Sequence, residues 1–283
     1  MTFDAVAYKA TTRQQWQDAA EAWHRWGPTL EEWLGAATEV MLDAAGVGRG
    51  SRVLDVAGGA GGQSLVAARR TGPDGSVVVT DVSPAILAYA QRAADESGLR
   101  QVSTFEVDGE EIGGRWSGEF DAAISRLGVI YFPDRAKALR GIRSTLREGG
   151  RFAAVVYSTA ERNPFFSVPA ALIRSRAGLP APLPGQPGPF SLADPASARD
   201  ALRDAGFRDV QVETMDAPLF LPSAADCLRF ERESFGALHQ MLSGVEEDER
   251  ERVWADIEAA LREYETEDGF VGPCELHVIS GSR

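Results

Sequence analysis

Cysteine is nearly absent: Cys227 and Cys274 are the only two in 283 residues. Two thiols cannot build a disulfide framework or a cysteine-rich metal site, and a thiol-reducing, cytoplasmic setting is expected. Lysine is as scarce, at Lys9 and Lys137, and no run of Lys or Arg occurs. With a formal net charge of −13, the chain repels nucleic acid and anionic lipid, so no nucleic-acid partner is expected. No apolar stretch approaches the roughly 20 residues of a membrane-spanning helix, so no membrane span is expected. The opening MTFDAVAYKATTRQQW lacks the basic and apolar regions of a secretory signal. His24, His239 and His277 lie far apart in sequence and form no ligand motif, so no metal is expected. What is present is an acidic chain, 44% hydrophobic, able to bury a sizeable core and suited to a small-molecule substrate.

The first 46 residues read as helical, with Gly27-Pro28 as punctuation. The pattern then changes. Ser51 to Ala57 is a short apolar run bounded by glycines, which suits a strand buried on both faces. A helix follows from about Gly62 to Arg70, and Ser76 to Thr80 reads as a second strand. Ser83-Pro84 supplies an N-cap and a proline for the first helical turn. Val102 to Val107, Phe120 to Ser125 and Phe152 to Tyr157 are strand-like, with a helix over Pro133 to Leu146. Strands alternating with helices imply right-handed βαβ units and a parallel sheet. From about Thr159 the sequence loosens, and Leu179 to Pro189 is Pro/Gly-rich. Helices near Pro195 to Ala205, Ser223 to Leu242 and Glu246 to Tyr264 are predicted, with strands near Val210 to Met215 and Glu275 to Ser280.

The strongest chemical signal is Val53-Leu54-Asp55-Val56-Ala57-Gly58-Gly59-Ala60-Gly61-Gly62, a strand running into a glycine-rich turn and a helix. Glycines permit positive φ and close approach of backbone to ligand, and helix-start N–H groups can receive a polar or anionic group. A dinucleotide fingerprint needs a third glycine where Ser64 stands. Asp55, inside the strand, suits a cationic α-amino group better than a pyrophosphate. Asp81, followed by Val82, ends the second strand, where a carboxylate accepts ribose hydroxyls. Asp108, followed by Gly109, lies past the third strand and can accept from an adenine amine. The bland alternatives are a tight turn, a helix cap and a turn acid. Three acids at adjacent strand tips, where open α/β sheets bind ligands, favour the nucleoside.

This set resembles the class I S-adenosylmethionine-dependent methyltransferases, in particular the bacterial small-molecule branch similar to the ubiquinone/menaquinone C-methyltransferases. The resemblance covers Ser51 to Tyr157 well and the flanks weakly. Ala57 stands at the first glycine of the family's Gly-x-Gly-x-Gly, with Gly59 and Gly61 at the others. Phe120 to Leu127 matches the fourth strand, whose end faces the methyl group, and Leu146 to Phe152 matches the turn into the fifth. The quinone enzymes' own signatures are not evident, so their substrate is not carried over. The resemblance implies S-adenosyl-L-methionine as cofactor, with S-adenosyl-L-homocysteine as product. Cofactor-binding residues are then Asp55, Ala57, Gly58, Gly59, Gly61, Asp81, Val82, Asp108, Gly109 and Ser125. Asn163-Pro164-Phe165-Phe166 is similar to the motif of amino-methylating DNA enzymes, but it follows the wrong strand and is read as coincidence.

The expected fold is α/β: a doubly wound, Rossmann-like, seven-stranded, mostly parallel sheet with a final antiparallel strand, an N-terminal helical cap and a C-terminal helical insertion. Residues 1–46 form the cap. Residues 47–220 and 270–283 form the core, with a loop or helical insertion at about 159–190. Residues 221–269 form a helical lid over the substrate site. On the helix expected from Ser223 to Leu242, Glu231 and His239 fall on the apolar side, where polar groups need partners. Glu231, His239 and Tyr131 are the catalytic candidates, and Trp23, Arg126, Tyr157, Phe166 and Phe235 the substrate-binding ones. The acceptor is expected to be a small lipophilic or aromatic compound of secondary metabolism, methylated on O or C. A homodimer is allowed. The rivals are an NAD(P)-dependent oxidoreductase and a non-catalytic S-adenosylmethionine-binding protein.

Overall fold

The computed structural model describes residues 3–183 and 186–283. Pro184 and Gly185, within the Pro/Gly-rich stretch, lie outside the described residues, as do the first two residues of the opening segment. The chain begins with three helices, α1 (Ala5–Asp18), α2 (Ala20–Arg25) and α3 (Gly27–Ala44). The Asp4 carboxylate starts α1 by accepting from the Val6 and Ala7 amides, both at 3.0 Å. Gly27-Pro28 opens α3 rather than ending a helix, because a proline in the first turn gives up no hydrogen bond.

The alternating core follows: β1 (Arg52–Val56), α4 (Gly62–Thr71), β2 (Ser76–Asp81), α5 (Pro84–Glu96), β3 (Val102–Glu106), β4 (Phe120–Arg126), α6 (Arg135–Thr145) and β5 (Leu146–Tyr157). Next come α7 (Pro164–Arg176), α8 (Pro195–Asp204), β6 (Arg208–Asp216) and β7 (Leu219–Leu221). Helices α9 (Ala224–Ser234), α10 (Gly236–Met241) and α11 (Glu247–Leu261) precede β8 (Glu265–Thr266), β9 (Gly269–Gly272) and β10 (Glu275–Ser282). The main sheet has seven strands in the order β3-β2-β1-β4-β5-β10-β6. Pairings from β3 to β5 are parallel, and β10 runs antiparallel to both β5 and β6. The expected fold class is therefore the observed one. Strand order reverses between β1 and β4, which opens a crevice at their carboxyl ends.

Burial explains the apolar runs. Val53, Leu54 and Val56 of β1 and Ala122 to Ile124 of β4 are fully enclosed because helices cover both faces. Trp33 of α3 packs edge-on to Phe165 and Phe230, and its indole N–H donates to the Ala217 carbonyl at 2.8 Å. The insertion expected at about 159–190 contains a 13-residue helix, α7, with Pro169 inside it. Two sequence expectations need correction. A second, three-stranded sheet, β7-β9-β8, lies before the last core strand. The helix expected from Ser223 to Leu242 breaks at Phe235 (φ −106°, ψ 80°), which resets the helical phase and separates α9 from α10. Asn163 serves the fold: its amide nitrogen donates to the Thr159 and Glu275 carbonyls, and its oxygen accepts the Glu275 N–H.

Gly61 shows how tightly the first turn is built. Its φ is +86°, and a Cβ there would lie 2.9 Å from the Ala90 side chain of α5. Gly61→Ala is expected to lower stability by at least about 1 kcal/mol, read as a fall in melting temperature. An unchanged melt would show that α4 and α5 can part there without cost.

Candidate active site

A cavity of about 350 Å³ opens at the crevice and is bounded by the glycine turn, the ends of β2, β3 and β4, and helices α1 to α3. Its polar wall begins with Asp81. The end of β2 holds this carboxylate still: Oδ1 accepts from the Ser83 N–H at 3.0 Å and Oδ2 from the Gly59 N–H at 3.1 Å. Burial nonetheless pushes its pKa up to about 6, and those amide bonds limit the rise. Val82, Asp108 and Gly109 continue the wall. On the turn, Ala57, Gly58 and Gly59 face the cavity. Ala57 has φ +56°, the left-handed geometry that explains why glycine suits its position. Gly58 has no room for a side chain, since a Cβ would lie 2.6 Å from the Val79 methyl. No side chain caps α4, so the first-turn amides at Gly62 and Gln63 remain available beside the cavity.

Three of the cofactor candidates do not reach this wall. Asp55 is fully buried behind it, bonded to the Ser64 hydroxyl and, at 3.3 Å, to the Gln63 amide. Burial pushes it up to about 6 against those bonds. It holds the start of α4 and presents Gln63 to the cavity in its place. Ser125 donates to the Val56 carbonyl at 2.7 Å and is likewise enclosed. Gly61 is taken up by its packing on α5. Each lies on the inward-facing side of a doubly covered strand or turn, which the sequence alone does not distinguish from the ligand-facing side.

Arg126, at the end of β4, does line the cavity. Its Nη1 donates to the Thr38 hydroxyl at 2.9 Å, and Nη2 lies against Gly62. Desolvation lowers its pKa to about 10, offset by the charges of Asp55 and Glu31, so it stays cationic at neutral pH. Leu127 follows at φ +58°, a strained conformation for a bulky residue at the mouth of the site.

The other end of the cavity is aromatic. Trp23, Tyr131, Tyr157 and Phe235 line it together with Trp16. Tyr131 and Trp23 each meet Trp16, at 6.0 and 5.3 Å between ring centroids. Burial raises the Tyr131 phenol well above its ordinary range, so it is a hydrogen-bond donor and not a ready base. Phe166 stands one layer back, stacked on Tyr157 at 6.1 Å and 4.8 Å from Phe235. Glu231 is also behind the wall and fully buried. His239 is corrected outright. It is exposed on α10, bonded to the Arg232 carbonyl at 2.6 Å and set against Trp254, because the break at Phe235 turned it away.

Helix α1 supplies residues that sequence reasoning missed. Tyr8, Lys9 and Thr12 line the cavity. The Lys9 ammonium bonds Asp108 at 2.8 Å and also Glu110, Arg13 pairs with Glu106 at 2.6 Å, and Gln17 accepts from Ser83 at 2.8 Å. No residue of α1 is fully buried, so these polar ties carry much of its attachment. Lys9→Ala is expected to speed amide exchange across α1 while leaving β1 to β5 unaltered. Equal protection in both proteins would show that the helix is held otherwise. Lys9 is one of only two lysines, which is the signal that could have found it.

Among the described residues no helix is long and apolar enough to cross a membrane, and no cluster of three metal-ligating side chains occurs. The donor set suits a nucleoside bearing an amino acid. Two acids face the cavity where a pyrophosphate would be repelled, while uncapped amides and Arg126 face its other side.

Comparison with known proteins agrees. Residues 35–172 match the ubiE/COQ5 methyltransferase family. Aklanonic acid methyltransferase DauC of Streptomyces sp. (strain C5) is 30% identical over 147 residues, covering 52% of this chain and 65% of that one. The ubiquinone/menaquinone biosynthesis C-methyltransferase UbiE of Idiomarina loihiensis is 33% identical over 118 residues, 41% of this chain and 47% of that one. The chain spans about half the length of most curated relatives it matches. Among solved structures, a putative methyltransferase from Bacillus halodurans C-125 superposes with a TM-score of 0.57 at 19% identity, covering 88% of this chain and 99% of that one. The [4+2]-cyclase SpnF gives 0.55 at 20% identity, covering 88% and 80%. The segment 35–172, which carries the glycine turn and the strand-tip acids, is thus similar to the ubiE/COQ5 methyltransferase family.

Proposed function

We propose that the chain transfers the methyl group of S-adenosylmethionine to oxygen or carbon of a small lipophilic or aromatic metabolite. The observation that carries this reading is one cavity with Asp81 and Asp108 on its polar wall and an aromatic end built from Trp16, Trp23, Tyr157 and Phe235. Asp81 would take the ribose hydroxyls, and Asp108 with Val82 and Gly109 the adenine. The uncapped start of α4 and Arg126 would take the methionine end. A bound donor supplies an activated methyl on a sulfonium, so positioning of the acceptor is the protein's main task and is worth roughly 7–11 kcal/mol at best. Residues 1–46 act as a cap, 221–269 as a lid and the remainder as the core. Trp23 and Phe235 would hold the acceptor ring, with Tyr131 donating a hydrogen bond beside it. A setting in cytoplasmic secondary metabolism fits such an acceptor.

The fold serves more than one chemistry, since SpnF, a structural neighbour, is a [4+2]-cyclase. The test therefore reads both binding and turnover. Calorimetric titration is expected to show saturable binding of S-adenosylmethionine and S-adenosylhomocysteine and none of NADH. Release of S-adenosylhomocysteine is then followed across a panel of phenols and polyketide-like aromatics. NADH binding would sink the reading in favour of an oxidoreductase. Donor binding with no turnover on any acceptor would favour a non-catalytic protein.

A further inference from the structure

Five buried side-chain nitrogen and oxygen atoms among the described residues lack a hydrogen-bond partner. Four of them belong to one place: both carboxyl oxygens of Glu231, the Ser234 hydroxyl and the Tyr157 hydroxyl. Glu231 and Ser234 lie one turn apart on the buried face of α9, and Trp33 packs on both Tyr157 and Phe230, the residue before Glu231, at 6.4 and 6.2 Å between ring centroids. A buried polar atom without a partner forfeits its hydration with no return, so four together call for an explanation in use.

Their place in the molecule supplies one. Tyr157 itself lines the acceptor end of the cavity, and so does Phe235, the residue after Ser234. Trp23, another wall residue, donates its indole N–H to the Ser234 carbonyl at 2.9 Å. The unpartnered atoms thus sit directly behind a wall made of their own neighbours. That wall is jointed at Phe235, where α9 breaks from α10. Nothing nearby offsets a charge on Glu231: burial alone drives its carboxyl well above the usual range. The group is a neutral acid beside two hydroxyls, able to donate and to accept.

We propose that Glu231, Ser234 and Tyr157 form a subsite for a neutral oxygen, a hydroxyl or keto group carried on the ring of the methyl acceptor. The ring itself would lie against Trp23 and Phe235. The proposal rests on the reading of this cavity as an acceptor site. An ammonium would need an ionised Glu231, and a buried ion pair recovers little beyond its desolvation. An anion would face an acid with no cation beside it. A neutral oxygen satisfies the existing donors and acceptors at the lowest desolvation.

The test compares 2-naphthol with naphthalene by equilibrium dialysis, with S-adenosylhomocysteine present. The ratio of their affinities is expected to fall at least about fivefold in Glu231→Leu and in Tyr157→Phe, with naphthalene binding unchanged. Glu231→Gln, which keeps a donor and an acceptor, is expected to retain most of the ratio. Infrared difference spectra should show a neutral carboxyl band that shifts on naphthol binding and disappears in Glu231→Gln. A ratio unchanged in both Glu231→Leu and Tyr157→Phe, or failure of both rings to bind, would overturn the subsite. Calorimetry of S-adenosylhomocysteine on the same samples keeps the two readings apart, because its loss would sink the methyltransferase assignment without touching the ratio.

Discussion

Asp81→Ala is expected to weaken binding of S-adenosylmethionine and S-adenosylhomocysteine by roughly 1.5–3 kcal/mol, one to two powers of ten. The size follows from how the carboxylate is held. One oxygen is fixed by Ser83 and the other by Gly59, so no reorganisation is needed to meet a ribose. Burial has already been met in the folded protein, which is why the pKa stands at about 6. That value gives the variant a partner experiment. Only the carboxylate can accept from two hydroxyls, and a proton competes for it in the empty site. Donor affinity should be level above about pH 7 and fall as pH drops through 6, approaching tenfold per unit. Asp81→Asn should bind weakly at every pH and lose that limb. Asp55 also stands at about 6, but it acts through Ser64 and Gln63 and should add only an indirect slope. Calorimetry at three pH values from 5.5 to 7.5 would decide. Unchanged affinity in Asp81→Ala removes the residue from the site.

The core was legible because its signals are local. Apolar runs bounded by glycine, a proline in the first helical turn and acids at strand tips each follow from a few adjacent residues. The same reasoning failed where facing depends on packing. Asp55 and Ser125 stand beside ligand-facing residues in sequence yet point into a doubly covered layer. His239 faces inward only on a continuous helix, and α9 and α10 are separate. The break at Phe235 changes the phase of everything after it, and Gly236 beside it reads in the sequence as an isolated, tolerated helical glycine. The contribution of α1 was hidden for another reason. Its role lies in pairs such as Lys9 with Asp108, 99 residues apart, which no window along the chain can see.

Glu231→Leu should make the empty protein more stable at neutral pH, and the sign is settled by the direction of its pKa. A carboxyl raised by folding contributes stability that is whole below its unfolded value, near 4.5, and drains as pH climbs through the folded value. Asp55 and Asp81 behave alike, but their drain ends near pH 6. Glu231 is raised well above 4.5, so its contribution keeps falling past pH 6, at no more than about 1.4 kcal/mol per unit. Tyr157 and Cys227, its buried neighbours, are themselves raised and stay neutral throughout that window. The leucine removes both unpartnered oxygens from the core. A gain of roughly 1–3 kcal/mol at pH 7 is expected, a rise of several degrees in melting temperature. The gap between the two proteins should be smallest near pH 5 and widen steadily to pH 8. Parallel melting curves over that range would mean that Glu231 has a partner in solution. A stabilised variant that also loses its preference for a hydroxylated ring would show the carboxyl kept at the expense of stability, because the acceptor needs it.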